Sequence, residues 1–208
     1  MTHIDTPLYL ALNFDGGPTV DMIFHIITDK LTWIPLYLLL LYLFWRKYDW
    51  RGFLLCIAVV VLSVVVTDHF ANLFKTDQGI IHSLFNGFEP RLRPRWALEG
   101  ITHFVPHSSN NGQFGTVSSH ASTLTGIAVL CAALLHRRWL TFTLAGWVLL
   151  VCYSRIYVAA HYPLDLTWGI LVGLVFGFLL LWMTRRVLHI DRFLRKPAPG
   201  KPDGDKTE

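Results

Sequence analysis

The stretch Ser154-Arg155-Ile156-Tyr157-Val158-Ala159-Ala160-His161-Tyr162-Pro163-Leu164-Asp165 separates two strongly apolar segments, 140–153 and 164–183. It sets an arginine, a histidine and a carboxylate at their junction. Ionisable groups at membrane depth are costly and are usually kept for function. His161 and Asp165 are four residues apart, so one helical turn can bring the carboxylate beside the imidazole. Upstream, Val117-Ser118-Ser119-His120 opens a further apolar segment. Two histidines, a carboxylate and several arginines around helix ends suggest phosphoryl chemistry on a membrane-bound substrate.

Of the 208 residues, 53% are hydrophobic and only 15% charged, and the mean hydropathy is +0.43. The apolar residues gather in five candidate spans, 31–45, 52–66, 121–135, 140–153 and 164–183. Several fall short of the roughly 20 residues that cross a bilayer, so flanking semi-polar residues must extend them. The expected fold is therefore an all-α polytopic membrane bundle of about five transmembrane helices with added interfacial helices. The stretch 18–27, which carries Asp21 and His25, reads as interfacial or as an extension of the first span. Residues 1–195 form one domain in this reading. Residues 196–208, rich in Pro, Gly and charge, read as a disordered basic tail. The N-terminus lacks the pattern of a cleavable signal peptide, so the first span is expected to serve as an uncleaved insertion signal. Cys56, Cys131 and Cys152 lie within apolar segments and are expected to behave as small hydrophobes.

Five spans place the chain ends on opposite sides. One side then carries the turns 46–51 and 136–138 and the C-terminal tail, with 12 of the 18 Lys and Arg residues. That side is expected to be cytoplasmic. The loop 67–119 and the turn around His161 share the other face, the periplasmic or outer side of the cell inner membrane. The net charge of +4 is explained by these turns and the tail, so nucleic acid is not an expected partner. The basic residues from Arg185 to Lys196 can touch anionic lipid.

A metal-free phosphatase needs cationic donors for the phosphoryl oxygens, a nucleophile, and an acid for the leaving group. The outer face offers all three. Arginines in Pro90-Arg91-Leu92-Arg93-Pro94-Arg95 supply guanidinium forks that match phosphate. Ser118 and Ser119 look like a helix N-cap, where backbone N–H groups and the helix dipole favour an anion.

These residues resemble the type 2 phosphatidic acid phosphatase family, whose motifs read KxxxxxxRP, PSGH and SRxxxxxHxxxD. Ser154, Arg155, His161 and Asp165 match the third in full. The second stands as Val117-Ser118-Ser119-His120, with its proline and glycine replaced. Arg93-Pro94 matches the end of the first, but Lys75 lies 18 positions before Arg93 where the family has seven. Either 76–90 is an insertion or another residue does the lysine's work. The resemblance implies that His161 is the nucleophile, giving a phosphohistidine, and that Asp165 holds its other ring nitrogen. It implies that His120 protonates the leaving oxygen and then activates water. Lys75, Arg93, Arg155, Ser118 and Ser119 would hold the phosphoryl oxygens.

The expected substrate is a lipid phosphate or pyrophosphate: undecaprenyl pyrophosphate, phosphatidylglycerophosphate, phosphatidate or a lipid A phosphate. Within the loop, Ile80, Ile81, Leu84 and Phe85 are expected to face lipid. His25, His69, His82, His103, His107 and His189 read as interfacial anchors. Arg91 and Arg95 read equally well as head-group anchors or as donors. Trp33, Tyr37, Trp45, Tyr48 and Trp50 read as interfacial belts. No cofactor and no metal is expected: His103 and His107 are interrupted by Pro106, and no helical His-Glu motif accompanies them. Two other functions fit the scaffold, a lipid-linked phosphotransferase and a non-catalytic lipid-binding or transport protein. The vanadium haloperoxidases use a related site but are soluble.

Overall fold

The computed structural model describes residues 4–76, 80–85, 88–106 and 112–194, without the side chains of Ile80 and His82. The tail 196–208 and His107 lie outside the described residues. The described helices are α1 (Thr6–Leu12), α2 (Gly17–Thr28), α3 (Ile34–Lys47), α4 (Trp50–Asn72), α5 (Ile80–Leu84), α6 (Pro94–Ala97), α7 (Ser119–Leu135), α8 (Arg138–Tyr157) and α9 (Pro163–Arg186). Among the described residues there is no strand, only two isolated antiparallel bridges, Tyr48 with Leu194 and Leu92 with Phe114.

A helix sits over each of the five expected spans. Three of them, α4, α8 and α9, are long and apolar enough to cross a membrane unaided. The stretch 18–27 is the core of α2, and α2 meets the 30–47 segment at a bend of 65°, the geometry of a broken span or a re-entrant loop. Pro18 and Pro35 sit in the first turns of α2 and α3, where no intrahelical N–H is lost, so each marks the start of a separate helix. Asp29 caps the short 3₁₀ turn between them by accepting the Leu31 N–H at 3.0 Å. Helix α7 has only 17 residues but is the most enclosed, packed among α4, α8 and α9. Its neighbours carry the lipid-facing surface, with Val61, Phe142, Leu149, Val175 and Trp182 exposed on apolar faces. Cys56, Cys131 and Cys152 are free and buried.

The contact between α7 and α9 sets the geometry of the end of the bundle that carries His161. Gly169, Gly173 and Gly177 repeat every four residues along one face of α9. A Cβ at Gly173 would lie 2.4 Å from the Ser122 carbonyl oxygen, and one at Gly169 would lie 2.6 Å from that of Ser118. Only glycine permits this approach, the packing logic of small residues spaced by four in membrane helices. The close approach lets the Ser118 N–H reach the Asp165 carbonyl at 3.1 Å.

At the other end the basic side chains tie helices together. Lys47 reaches the Leu134 carbonyl at 2.6 Å and Arg185 the Ala133 carbonyl at 2.7 Å, each satisfying an orphan acceptor at the end of α7. Tyr48 corrects the belt reading. It is 1% exposed and donates its hydroxyl to Leu134 O at 3.0 Å. Trp33 and Tyr37 turn inward against Trp147, whereas Trp45 and Trp50 are exposed as expected of a belt. Helix α5 leaves Leu84 and Phe85 exposed, in keeping with an interfacial segment.

Candidate functional site

The end of α4, the start of α7, the end of α8 and the start of α9 surround a cavity of about 830 Å³. Lys75, Arg93, Ser119, His120, Arg155 and His161 line it, and Ser118 and Asp165 stand directly behind. The structure thus brings together all eight residues singled out from the sequence. Each arrives by a local rule. Ser118 caps α7, its side chain accepting the Ala121 N–H at 3.4 Å, so Ser119 and His120 begin the helix. Pro163 starts α9, and Asp165 takes the Tyr162 N–H at 3.1 Å, fixing the turn that presents His161. Asp165 therefore does not cap α9 itself; it is the third helical residue and bonds back to the cap.

The imidazole of His161 is 2% exposed and Asp165 is 2% exposed. Nδ1 of His161 donates to the Gly115 carbonyl at 3.0 Å and faces Asp165 Oδ2 at 3.4 Å. A carbonyl oxygen accepts only, so Nδ1 carries the hydrogen. Nε2 is left with its lone pair, the form a nucleophile needs. Gly115 makes this possible: a Cβ there would sit 2.9 Å from Arg93 Cγ and 3.1 Å from Nδ1 of His161. Burial first, then the charges of Arg93, Arg155 and Lys75, hold the His161 pKa well below its ordinary value.

Three cations converge on this imidazole. Arg93 is 5% exposed; its Nε donates to the Phe114 carbonyl at 3.0 Å and its backbone N–H to Gln113 O at 2.8 Å. Its Nη1 is buried with no hydrogen-bond partner among the described residues. A buried guanidinium N–H left unpaired is expensive, and an anion in the cavity would satisfy it. Arg155 donates from Nη1 to Thr28 Oγ1 at 2.6 Å, so the bend between α2 and α3 supplies a partner. Lys75 reaches Ser119 Oγ and, at 3.0 Å, Asn72 Oδ1. The displacement of this lysine in sequence is absorbed by the end of α4 and the turn after it, which carry Lys75 to the start of α7. Lining the same wall are Asp68 and His69; His69 bonds its own helix, to Val65 O.

Below the cations the cavity becomes apolar, with Tyr37, Val64, Val65, Leu124 and Ile127 on its walls. A ligand with a phosphate head and an apolar tail matches that gradient.

Several site residues had no sequence signal. Asp5, near the N-terminus, is buried against Arg91. Arg91 Nη1 donates to Asp5 Oδ2 at 3.1 Å and to Asp165 Oδ1 at 3.2 Å, and its guanidinium carbon lies 3.5 Å from the Tyr162 ring centroid. Arg91 is therefore no head-group anchor; it bridges two buried carboxylates behind His161. Asp5 also accepts the Leu164 N–H at 3.0 Å, at the first turn of α9. Asn13 works similarly, holding the Ile156 and Tyr157 carbonyls at 3.1 and 2.9 Å. Nor is His103 an interfacial anchor: its Nε2 pairs with Asp21 Oδ1 at 2.8 Å, an oxygen that also accepts the Tyr157 hydroxyl at 2.6 Å.

The model of the PAP2 superfamily matches residues 73–188. The chain belongs to the PAP2 superfamily. It is a PAP2 membrane lipid phosphatase, a phosphoric ester hydrolase, as the motifs implied. It is similar to two curated proteins named lipid A 4'-phosphatase. One, from Bacteroides thetaiotaomicron, is 28% identical over 99% of this chain and 88% of its own length. The other, from Porphyromonas gingivalis, is 28% identical over 84% of this chain and 70% of its own. The crystal structure of Aquifex aeolicus LpxE superposes with a TM-score of 0.59 at 21% identity, covering 86% of this chain and 96% of that one. That likeness is one of fold, and it covers helices outside the matched residues as well.

Proposed function

We propose that this PAP2 chain removes a phosphate from a lipid A-type glycolipid at the outer face of the cytoplasmic membrane, with its C-terminus inside. The buried Nη1 of Arg93, without a hydrogen-bond partner among the described residues and set in a cavity beside His161, carries this reading. The relatives' names point to the glycolipid, and the basic turns at the opposite end of the bundle favour the orientation. His161 Nε2 attacks phosphorus and forms the phosphohistidine. Asp165 and the Gly115 carbonyl hold Nδ1–H and stabilise the imidazolium that the attack creates. His120, at the first turn of α7, delivers the proton to the leaving oxygen and then takes one from water. Lys75, Arg93 and Arg155 bind the three phosphoryl oxygens with the Ser118 and Ser119 end of α7. A divalent cation has little place in this centre, because three side-chain cations already occupy the role it would fill.

Phosphate release by purified protein in detergent tests the proposal, using a lipid A-type phosphate, phosphatidate and undecaprenyl pyrophosphate. Release is expected to survive EDTA, with the glycolipid preferred. Loss in EDTA with recovery on adding a divalent ion would sink the metal-free mechanism. Product lipid without inorganic phosphate would indicate transfer instead of hydrolysis.

The pH dependence supplies a second test. Burial, with Arg93 and then Arg155, pulls the Lys75 pKa down to about 8, while Asp68 and Asp165 oppose the shift. Lysine loses its charge as pH rises through that value, so phosphate binding weakens above it. Since kcat/KM reports the free enzyme, it should fall above about pH 8. In Lys75→Arg that alkaline limb should move above about pH 10, because a guanidinium stays charged. A limb that stays in place in Lys75→Arg would exclude Lys75 as its source.

A further inference from the structure

A second cavity of about 660 Å³ adjoins the catalytic one, and Gln113 lines both. The short helix α6 separates them. Arg93, just before it, lines the catalytic cavity, whereas Arg95, two residues on, lines the second. Trp96 and Phe104 stand in this second concavity with 44% and 40% of their surface exposed. The Arg95 guanidinium carbon lies 4.9 Å from the Trp96 ring centroid and 5.6 Å from that of Phe104, holding the two rings about one cation. The Arg95 backbone N–H is anchored to the Ala159 carbonyl at 3.3 Å, in the turn that leads to His161. Glu99 and Gln113 add an exposed carboxylate and an amide to the walls.

We infer that this cavity is the head-group subsite, and that it takes a sugar ring of a phosphorylated glycolipid. Flat aromatic faces stack against the C–H face of a pyranose, while a carboxylate and an amide bond its hydroxyl or amino groups at fixed angles. A phosphoryl group held by Arg93 places the rest of the head group next to the shared Gln113 wall. An interfacial Trp belt is the competing explanation for the exposed rings. A belt serves every lipid substrate equally, whereas a sugar platform serves only those with a ring. The inference rests on the phosphatase reading above, and it makes Trp96 and Glu99 determinants of specificity.

The test compares wild-type full-length protein with Trp96→Ala, Trp96→Phe and Glu99→Gln, in detergent, on two substrates. One is a phosphorylated glucosamine-disaccharide lipid and the other is phosphatidate, which has no ring. Trp96→Ala should lose about tenfold in kcat/KM on the glycolipid, chiefly through KM, and stay within about twofold on phosphatidate. Trp96→Phe, which keeps a flat ring, should recover most of the loss, and Glu99→Gln should reduce only glycolipid turnover. Equal losses on both substrates, or none on the glycolipid, would overturn the subsite while leaving the phosphatase intact. Wild-type protein that releases phosphate from neither lipid would overturn the glycolipid reading of the proposed function itself.

Discussion

Replacing His161 with asparagine is expected to lower kcat by about four to six orders of magnitude, the scale seen when a covalent nucleophile is removed. Asparagine is chosen for a structural reason. Its amide N–H₂ can take over the Nδ1 bond to the Gly115 carbonyl, now 3.0 Å long, and remain near Asp165. The variant should therefore fold and keep the phosphate pocket of Lys75, Arg93 and Arg155. What it lacks is a nitrogen lone pair where Nε2 stood. Binding of a lipid phosphate should persist within severalfold of wild type while turnover disappears, and no acid-labile phosphoenzyme should form. Residual turnover above about 1% of wild type, with the protein folded, would contradict a phosphohistidine at this position.

Arg91→Met should have the largest effect on stability, with a second effect on activity. Arg91 lies between two carboxylates that water scarcely reaches: Asp5 is 6% exposed and Asp165 2%. Removing the cation leaves both buried charges uncompensated. Breaking such a pair typically costs about 3–5 kcal/mol, more than the intact bridge contributes relative to an apolar replacement. A second substitution, Asp5→Asn, removes one of the stranded charges and should restore part of the melting temperature, a non-additive result expected of direct partners. Activity should fall about 10–100-fold through kcat, because Asp165 loses the partner that holds it toward His161. Arg91→Lys should recover charge but not the forked geometry, and so rescue stability better than kcat. A melting shift with unchanged kcat would mean that Arg91 only braces the fold.

The same arrangement explains why residues 5–13 belong to the catalytic end. Asp5 and Asn13 hold the first turn of α9 and the last turn of α8 at their backbone groups. Movement of this N-terminal segment would be transmitted to both helix ends that flank His161.

Much of the architecture was legible in the chain. Apolar runs marked the spans, because lipid requires each backbone polar group to be satisfied within a helix. The Ser154–Asp165 run pointed to the cavity that His161 lines, since charged residues beside apolar segments are too costly to lie there without purpose. Ser118 marked the start of α7 through ordinary capping chemistry. These signals are local, and so they survive in a one-dimensional reading.

Long-range pairings had no such signal. Nothing near Asp5 announces Arg91, 86 positions away. Thr28 is an unremarkable residue until the 65° bend brings it to Arg155. Tyr48 looks like a belt residue and is instead buried, because its hydroxyl finds the orphan Leu134 carbonyl at the end of α7. Lys75 was found but could not be justified by spacing; its place depends on where α4 ends relative to α7. The sequence by itself determined the class of membrane bundle and where its apolar helices lie, three of them long and apolar enough to cross a membrane unaided. Only the tertiary structure decided which charges neutralise one another and which remain open to a substrate. That choice depends on distances between helix ends, which the packing of Gly169 and Gly173 against α7 sets and no local spacing encodes.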